Sequence, residues 1–215
     1  MNPAQYPQEI YSALYTDEFG EVVGLDEVQL MKTELSSRMP LLIGLLRQED
    51  LYLAYQCGLI LAAWGVSDGV DYLEYLVETR IDKTTEFEPH RLWGEDNVYD
   101  IIAEALELAV SINGYDRLLV ARVFKKILAL YGECYFESRL KQALINLNEL
   151  ALLPDIKQAM QLALDHKRYY QASQLLPVLA KYDKAYALAQ VGPFQKLVAE
   201  DKRIQYNLEE MQIPV

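Results

Sequence analysis

The chain has 215 residues, of which 52% are apolar, and its 32 acidic side chains outnumber 20 lysines and arginines to give a formal net charge of −12. The apolar share supports a packed core and excludes a wholly disordered chain. The negative charge repels phosphate backbones, so nucleic acid is not the expected partner.

The N-terminal segment has no lysine or arginine ahead of Lys32 and no apolar run. A secretory signal needs both features, so none is expected here. Cys57 and Cys134 cannot form a disulfide framework and are not arranged as a Cys-x-x-Cys pair. Together these observations predict a cytoplasmic protein. Residues 19–23 show the only strand-like alternation, and it is weak.

Apolar residues recur at three- and four-residue steps through nearly all of the remaining chain, which predicts helices joined mostly by short connections. The predicted helices cover residues 26–39, 41–47, 49–64, 67–81, 97–112, 116–131, 136–152, 155–166, 169–181, 184–190 and 193–201. Gly65 and Gly132 each follow a predicted helix and favour its termination. The most apolar run, 51–66, is shorter than the roughly 20 residues that cross a bilayer, so it predicts a buried core helix and no membrane partner. The expected fold is all-α, in a single domain over residues 1–215.

Two blocks of the sequence repeat one pattern. Residues 60–65 read ILAAWG and residues 127–132 read ILALYG. Each block continues with apolar residues at matching offsets, namely Leu73 and Val77 in the first and Leu140 and Leu144 in the second. Each block therefore indicates an apolar helix, a glycine and a second, amphipathic helix.

The first block resembles the HEAT and armadillo-like superfamily. The resemblance is carried by LAAWG over 61–65 and by the Val-x-x-Leu-x-x-Leu-Val pattern over 70–77, and it is clearest over 49–82. It implies an α-solenoid of stacked antiparallel helical hairpins that serves as a protein-binding scaffold. An irregular helical bundle is the alternative, because ordinary bundles produce similar patterns.

The negative charge is concentrated in the N-terminal half of the chain. Residues 1–110 contain 21 acidic and 6 basic side chains, whereas residues 111–215 contain 11 and 14. One predicted helix carries acidic residues at helical steps with two tyrosines beside them: Asp68, Asp71, Glu74, Glu78 and Asp82, with Tyr72 and Tyr75. The next helix adds Asp100 and Glu104 at the same spacing. A solvated helix face explains either stripe alone, whereas two in succession with tyrosines alongside also suit contact with a cationic protein.

The connection over residues 82–97 is longer than most helix–helix connections. It contains an aromatic side chain among acidic ones: Trp93 with Glu86, Glu88, Glu95 and Asp96. One interpretation is a recognition loop with the tryptophan as anchor and the carboxylates as its rim. The other is an ordered loop whose tryptophan covers the end of the core.

No catalytic or ligand-binding motif is present. The two histidines, His90 and His166, lack a metal-ligand pattern, and no phosphate-binding glycine loop or nucleophile motif occurs. We therefore expect no metal, no cofactor and no catalytic residue, and do not expect an enzyme. The last third of the chain interleaves basic and aromatic residues, among them Lys167, Tyr170 and Arg203. This pattern can bind single-stranded nucleic acid, but acidic residues nearby favour ordinary helix surfaces.

The expected function is a non-catalytic protein-binding module that binds a basic partner through an acidic surface. By analogy of size, charge and lack of motifs, the chain looks like a bacterial immunity protein, which neutralises a toxin such as a basic nuclease. An assembly adaptor or regulatory scaffold subunit that binds through an apolar groove is the alternative. A helical-repeat enzyme acting on nucleic acid, such as a solenoid DNA glycosylase, is a third hypothesis, but it needs a basic concave face that the acidic first half opposes. The oligomeric state is left open.

Overall fold

A computed structural model describes residues 6–84, 91–92 and 95–211. Within these ranges the chain is almost entirely helical, so the predicted all-α class is confirmed. The helices are α1 (Gln8–Tyr15), α2 (Leu25–Leu30), α3 (Lys32–Leu35), α4 (Met39–Leu45), α5 (Leu51–Ala63), α6 (Ser67–Glu78), α7 (Ile81–Thr84), α8 (Val98–Ser111), α9 (Arg117–Ala129), α10 (Arg139–Leu147), α11 (Leu153–Asp165), α12 (Tyr169–Tyr182), α13 (Lys184–Leu197) and α14 (Ile204–Glu210). Short 3-10 turns cover Ser36–Arg38 and Leu150–Leu152, and strand β1 (Arg91–Leu92) pairs antiparallel with β2 (Glu95–Asp96).

Several predicted helix boundaries differ from those of the structure. The single helix predicted over 26–39 is divided into α2, α3 and a 3-10 turn, and Pro40 lies in the first turn of the next helix, where its missing N–H costs nothing. The two helices predicted over 184–190 and 193–201 are one helix, α13, which continues through Pro193. Proline is unfavourable but not prohibitive inside a helix that other contacts hold in place.

The described residues form two compact units by their contacts. The first comprises residues 6–84 and 104–116, and the second comprises 91–92, 95–103 and 117–211. The helix α8 contributes its first residues to the second unit and the remainder to the first.

The first unit is organised around α5, which contacts α1, α2, α4 and α6. Leu53–Ala63 is buried without interruption, as expected for the apolar segment that the sequence places in the core. The capping residue Asp50 accepts a hydrogen bond from the Leu53 amide at 3.1 Å and so begins the helix. Trp64, fully buried, donates its indole N–H to the Val28 carbonyl at 3.0 Å and thereby ties α5 to α2.

A Schellman motif ends α5 and starts α6. Gly65 has φ +67°, its amide donates to the Ala62 carbonyl at 2.8 Å, and the Val66 amide donates to the Leu61 carbonyl at 2.9 Å. Glycine adopts this left-handed conformation without strain, which is why the predicted stop at Gly65 is confirmed.

The guanidinium of Arg38 fixes the C-terminal end of α1. It donates to the carbonyls of Ser12 at 2.8 Å, Thr16 at 2.7 Å and Asp17 at 2.8 Å. These acceptors lie in the last turn of α1 and in the turn that follows it, and one planar group donates to all of them. The α1 end and the turn after it are therefore held by a side chain more than twenty residues away.

The second unit is organised around α12, which contacts α10, α11, α13 and α14. Gln171–Leu179 is buried throughout. Tyr182 at the end of α12 donates its hydroxyl to the Leu144 carbonyl at 2.7 Å and accepts from the Glu149 amide at 2.9 Å, which joins α12 to the end of α10. Among the helices described, none is long and apolar enough to cross a bilayer.

Candidate protein-binding surface

The outward face of α6 carries a straight acidic stripe. Asp68, Asp71, Tyr75 and Glu78 are exposed and fall at steps of three, four and three residues, so they lie along one side of the helix. The opposite side, including Val70, is buried against the first unit. No lysine or arginine occurs within α6 itself. This face is the part of the predicted site that the structure brings together.

Two tyrosines contribute differently to this face. Tyr75 is 54% exposed at the middle of the stripe, and its ring centroid lies 6.3 Å from that of Tyr72. Tyr72 is half-buried, packs toward Gly58 on α5, and has its pKa raised to about 12, chiefly by desolvation. The Tyr72 hydroxyl therefore stays neutral at physiological pH, and Tyr75 is the more exposed of the two rings and the one that a partner can contact.

Two predicted members of the acidic stripe are placed elsewhere. Glu74 is buried, with 8% of its surface exposed, because its position falls on the side of α6 that faces the core. Asp82 lies beyond the helix, half-buried, and its carboxylate pairs with Arg80 at 2.9 and 3.0 Å. The negative stripe is thus shorter than predicted and is carried by three carboxylates.

The predicted continuation along α8 is wrong at Asp100. This side chain is fully buried, and its oxygens accept from the amides of Leu140 at 2.7 Å and Arg139 at 3.2 Å. It therefore caps α10 inside the second unit and cannot meet a partner. Glu104 is half-buried and belongs to the first unit.

The predicted recognition loop is described only in part. Glu86, Glu88 and Trp93 lie outside the described residues, and for Glu95 only its place in β2 is described. Asp96 accepts a hydrogen bond from the Val98 amide at 2.9 Å, so it caps the start of α8. Both interpretations of this loop stay predictions.

A second exposed feature of the first unit was not predicted. Phe19 is 82% exposed at the tip of a turn closed by an isolated bridge between Thr16 and Val22. Asp17 holds the turn, because one carboxylate oxygen accepts from the amides of Phe19 and Glu21, both at 2.9 Å. The weak strand-like alternation over residues 19–23 coincides with this bridge, but it does not predict that the phenylalanine is exposed.

Acidic and basic side chains are divided unequally between the two compact units. The described residues of the first unit contain 17 acidic and five basic side chains, whereas those of the second contain 13 and 15. One of the five cations, Arg38, is committed to backbone carbonyls inside the fold. The acidity predicted for the N-terminal half is therefore a property of one folded unit.

The second unit contains a groove whose lining combines apolar and charged side chains. A cavity of about 510 Å³ lies beside α10, α12 and α14, with Ile145, Pro177 and Met211 in its wall. The same cavity is also lined by Gln142, Lys181, Lys184 and Glu210.

Comparisons of the chain with protein-family models, with curated proteins and with solved structures give no match.

Proposed function

We propose that this protein is a non-catalytic binding module that recognises a basic protein partner through the exposed stripe of α6. The single observation that carries the proposal is the alignment of Asp68, Asp71 and Glu78 with Tyr75 on one exposed helix face. Carboxylates raise the rate of encounter with a cationic surface, and an exposed tyrosine supplies contact area at low entropic cost. The narrower form of the proposal is an immunity protein that covers the active site of a basic toxin.

A rigid support favours this face as an interface. The α6 helix is joined to α5 by the Schellman turn and packs on it closely at Gly58 and Gly69, so the stripe is held in a fixed geometry. Preorganised surfaces lose less conformational entropy on binding, which increases affinity for a given set of contacts.

The arrangement of helices is part of the same proposal. A solenoid-like stack is supported by the α5–α6 hairpin and by the consecutive contacts of α11, α12 and α13. An irregular bundle is supported by α5, which contacts α1 and α2 in addition to its immediate neighbours α4 and α6, whereas a stacked hairpin contacts only its neighbours.

The test compares two triple variants with the same change in net charge. Asp68→Lys, Asp71→Lys and Glu78→Lys reverse the stripe, while Glu9→Lys, Glu34→Lys and Glu49→Lys reverse exposed acids elsewhere in the first unit. A partner is captured from cell extract at low ionic strength, identified by mass spectrometry and purified, and its association rate with each variant is measured.

We expect association with the purified partner to slow by about tenfold or more for the stripe variant and by much less for the control variant. Binding should also weaken as salt is added, because screening shortens the reach of the carboxylates. If both triple variants slow association equally, net charge rather than the stripe is responsible. If neither variant changes it while both remain folded, the stripe is only a solvated face.

The second candidate function is an adaptor that binds through the groove beside Ile145 and Pro177. Its support is the apolar wall of that cavity in a unit whose charge is near balance. A complex formed there would resist salt and would be disrupted by Ile145→Glu but not by the stripe variant. The salt series therefore separates the two candidates in one experiment.

A further inference from the structure

Three turns of the second unit converge on a cleft of about 340 Å³ beside the first turn of α12. All of the residues that line the cleft belong to the second unit. It gathers residues from the basic and aromatic segments of the last third of the chain: Lys167, Arg168 and Tyr170 with Arg203, and Tyr135 from the turn after α9.

Three cationic side chains line this cleft against one lining carboxylate, that of Asp201. Lys167 is exposed in a left-handed conformation, φ +59°, just after α11. Arg168 donates through Nη2 to the Glu133 carbonyl at 2.9 Å, which directs its side chain along the turn after α9. Lys167 and Arg168 are neighbours in sequence, whereas Arg203 comes from a position more than thirty residues further along the chain and is brought to the same cleft by the fold.

Arg203 is held in a fixed orientation. Its Nε and Nη2 donate to the Asp201 carboxylate at 3.0 and 2.6 Å, and its guanidinium lies 4.3 Å from the centre of the Tyr170 ring. The bidentate pair with Asp201 and the stacking on Tyr170 therefore fix the position of the Arg203 guanidinium before any ligand binds.

Buried polar contacts keep the walls of the cleft in place. Gln171 is buried and uses its whole amide on the turn after α9: Oε1 accepts from the Phe136 amide at 3.0 Å, and Nε2 donates to the Cys134 carbonyl at 3.0 Å and to the Tyr131 carbonyl. On the other side, Asn207 donates to the Ser173 hydroxyl at 2.7 Å and ties α14 to α12. The cleft is therefore a built feature of the unit.

We propose that this cleft binds a phosphate monoester carried on a small aromatic group. Lys167 and Arg168 would meet the phosphate, since a dianion with several acceptor oxygens suits an ammonium and a guanidinium together. The rings of Tyr135 and Tyr170 form an apolar wall beside the cations, against which the attached aromatic group would pack. A volume of about 340 Å³ is within the range of small-molecule sites and excludes a folded protein as the occupant.

The test is a titration followed by two-dimensional NMR of the ¹⁵N-labelled full chain at low ionic strength. The probes are phenyl phosphate, inorganic phosphate and phenol, which separate the contributions of the anion and the ring. The variants are Lys167→Asn and Arg168→Gln, because asparagine tolerates the left-handed backbone while removing the charge. Lys196→Ala, an exposed cation of α13 outside the cleft, is the matched control.

We expect saturable shifts with phenyl phosphate, confined to the amides of the three turns and the first turn of α12. Inorganic phosphate should bind several-fold more weakly, and phenol should produce no saturable shift. Loss of one charge-assisted contact should weaken phenyl phosphate binding by about tenfold in each cleft variant and leave Lys196→Ala unchanged. Absence of saturable binding, shifts centred elsewhere, or equal weakening in the control would overturn the proposal.

Discussion

Asp100 has a different role in the structure from the one that its sequence spacing predicts, which is a surface carboxylate. Its carboxylate is fully buried and accepts two amides at the start of α10, so it acts as a helix cap supplied from another helix. Desolvation by burial raises its pKa, and hydrogen bonds from the backbone of Leu140, Arg139 and Glu137 act in the opposite direction. The desolvation effect is the larger.

The raised pKa of Asp100 predicts a dependence of stability on pH. Because the folded-state pKa lies above the unfolded value of about 3.9, the folded protein binds this proton more tightly than the unfolded chain does. The free energy of unfolding contributed by Asp100 therefore falls as pH rises from that unfolded value through the folded pKa, and is constant above it. Denaturant unfolding of the wild type and of Asp100→Asn is measured across this acidic range, and the stability of the wild type relative to the variant should fall as pH rises.

The same position predicts a cost at neutral pH. Asp100→Ala leaves the Leu140 and Arg139 amides without their acceptor and should lower the free energy of unfolding by about 1–3 kcal/mol. Asp71→Asn, on the exposed face of α6, is the control and should change stability by less than about 0.5 kcal/mol. Equal effects at the two positions would contradict the capping role.

Sequence spacing could not distinguish Asp100 from Asp71. Both occupy helical positions three or four residues from other acids, and both predict a surface carboxylate. The difference lies in a partner about forty residues away, which local periodicity does not contain. Glu74 differs for a simpler reason, since it lies four residues after Val70 and three before Val77, both of them buried, and so shares the inward side of the helix.

At the scale of elements, α5 and α6 pack unusually closely because glycine occupies the contact positions. A Cβ atom on Gly69 would lie 2.5 Å from the Leu61 Cβ and 2.7 Å from the Leu61 carbonyl carbon, and one on Gly58 would lie 2.8 Å from the Tyr72 ring. At Gly69 the obstructing atoms belong mainly to the α5 backbone, which cannot rotate away as a flexible side chain can.

We expect Gly69→Ala to separate the two helices and to lower the free energy of unfolding by about 1–3 kcal/mol. Gly44→Ala is the matched control, because this glycine is also helical, in α4, but has open space around it. There the substitution should raise stability by about 0.5–1 kcal/mol through helix propensity alone. Thermal or urea unfolding of both variants measures the contrast, and a stabilising effect at Gly69 would show that the close approach is not as described.

Element predictions succeeded where a terminating residue acts locally and failed where packing overrides it. Gly65 ends α5 through its own backbone conformation, so the sequence contains the whole signal. Pro193 predicts a helix break, yet α13 continues through it, because the energetic cost of one missing hydrogen bond is smaller than the contacts that hold the helix. The exposed stripe of α6 was largely predictable, whereas the cleft beside Arg203 depends on three turns that only the fold brings together.

At the scale of the whole molecule, charge is divided between the two compact units. The first has 17 acidic and five basic side chains among its described residues, and the second has 13 and 15. Excess like charge destabilises a compact state through self-repulsion, and salt reduces that repulsion. The two units should therefore respond differently to ionic strength.

We expect sodium chloride to increase hydrogen-exchange protection preferentially in the first unit. Exchange of the intact chain is measured by mass spectrometry at low and at elevated salt, and peptides from α5 and α6 are compared with peptides from α11 and α12. Relief of repulsion among exposed carboxylates, at a few tenths of a kcal/mol per close pair, should raise protection in α5 and α6 by about two- to fivefold, with little change in α11 and α12. The stripe variant of α6 removes repulsion by reversing three charges, so it should lose much of this difference in salt response between the two units. A uniform increase in protection would instead indicate a general effect of salt on apolar burial.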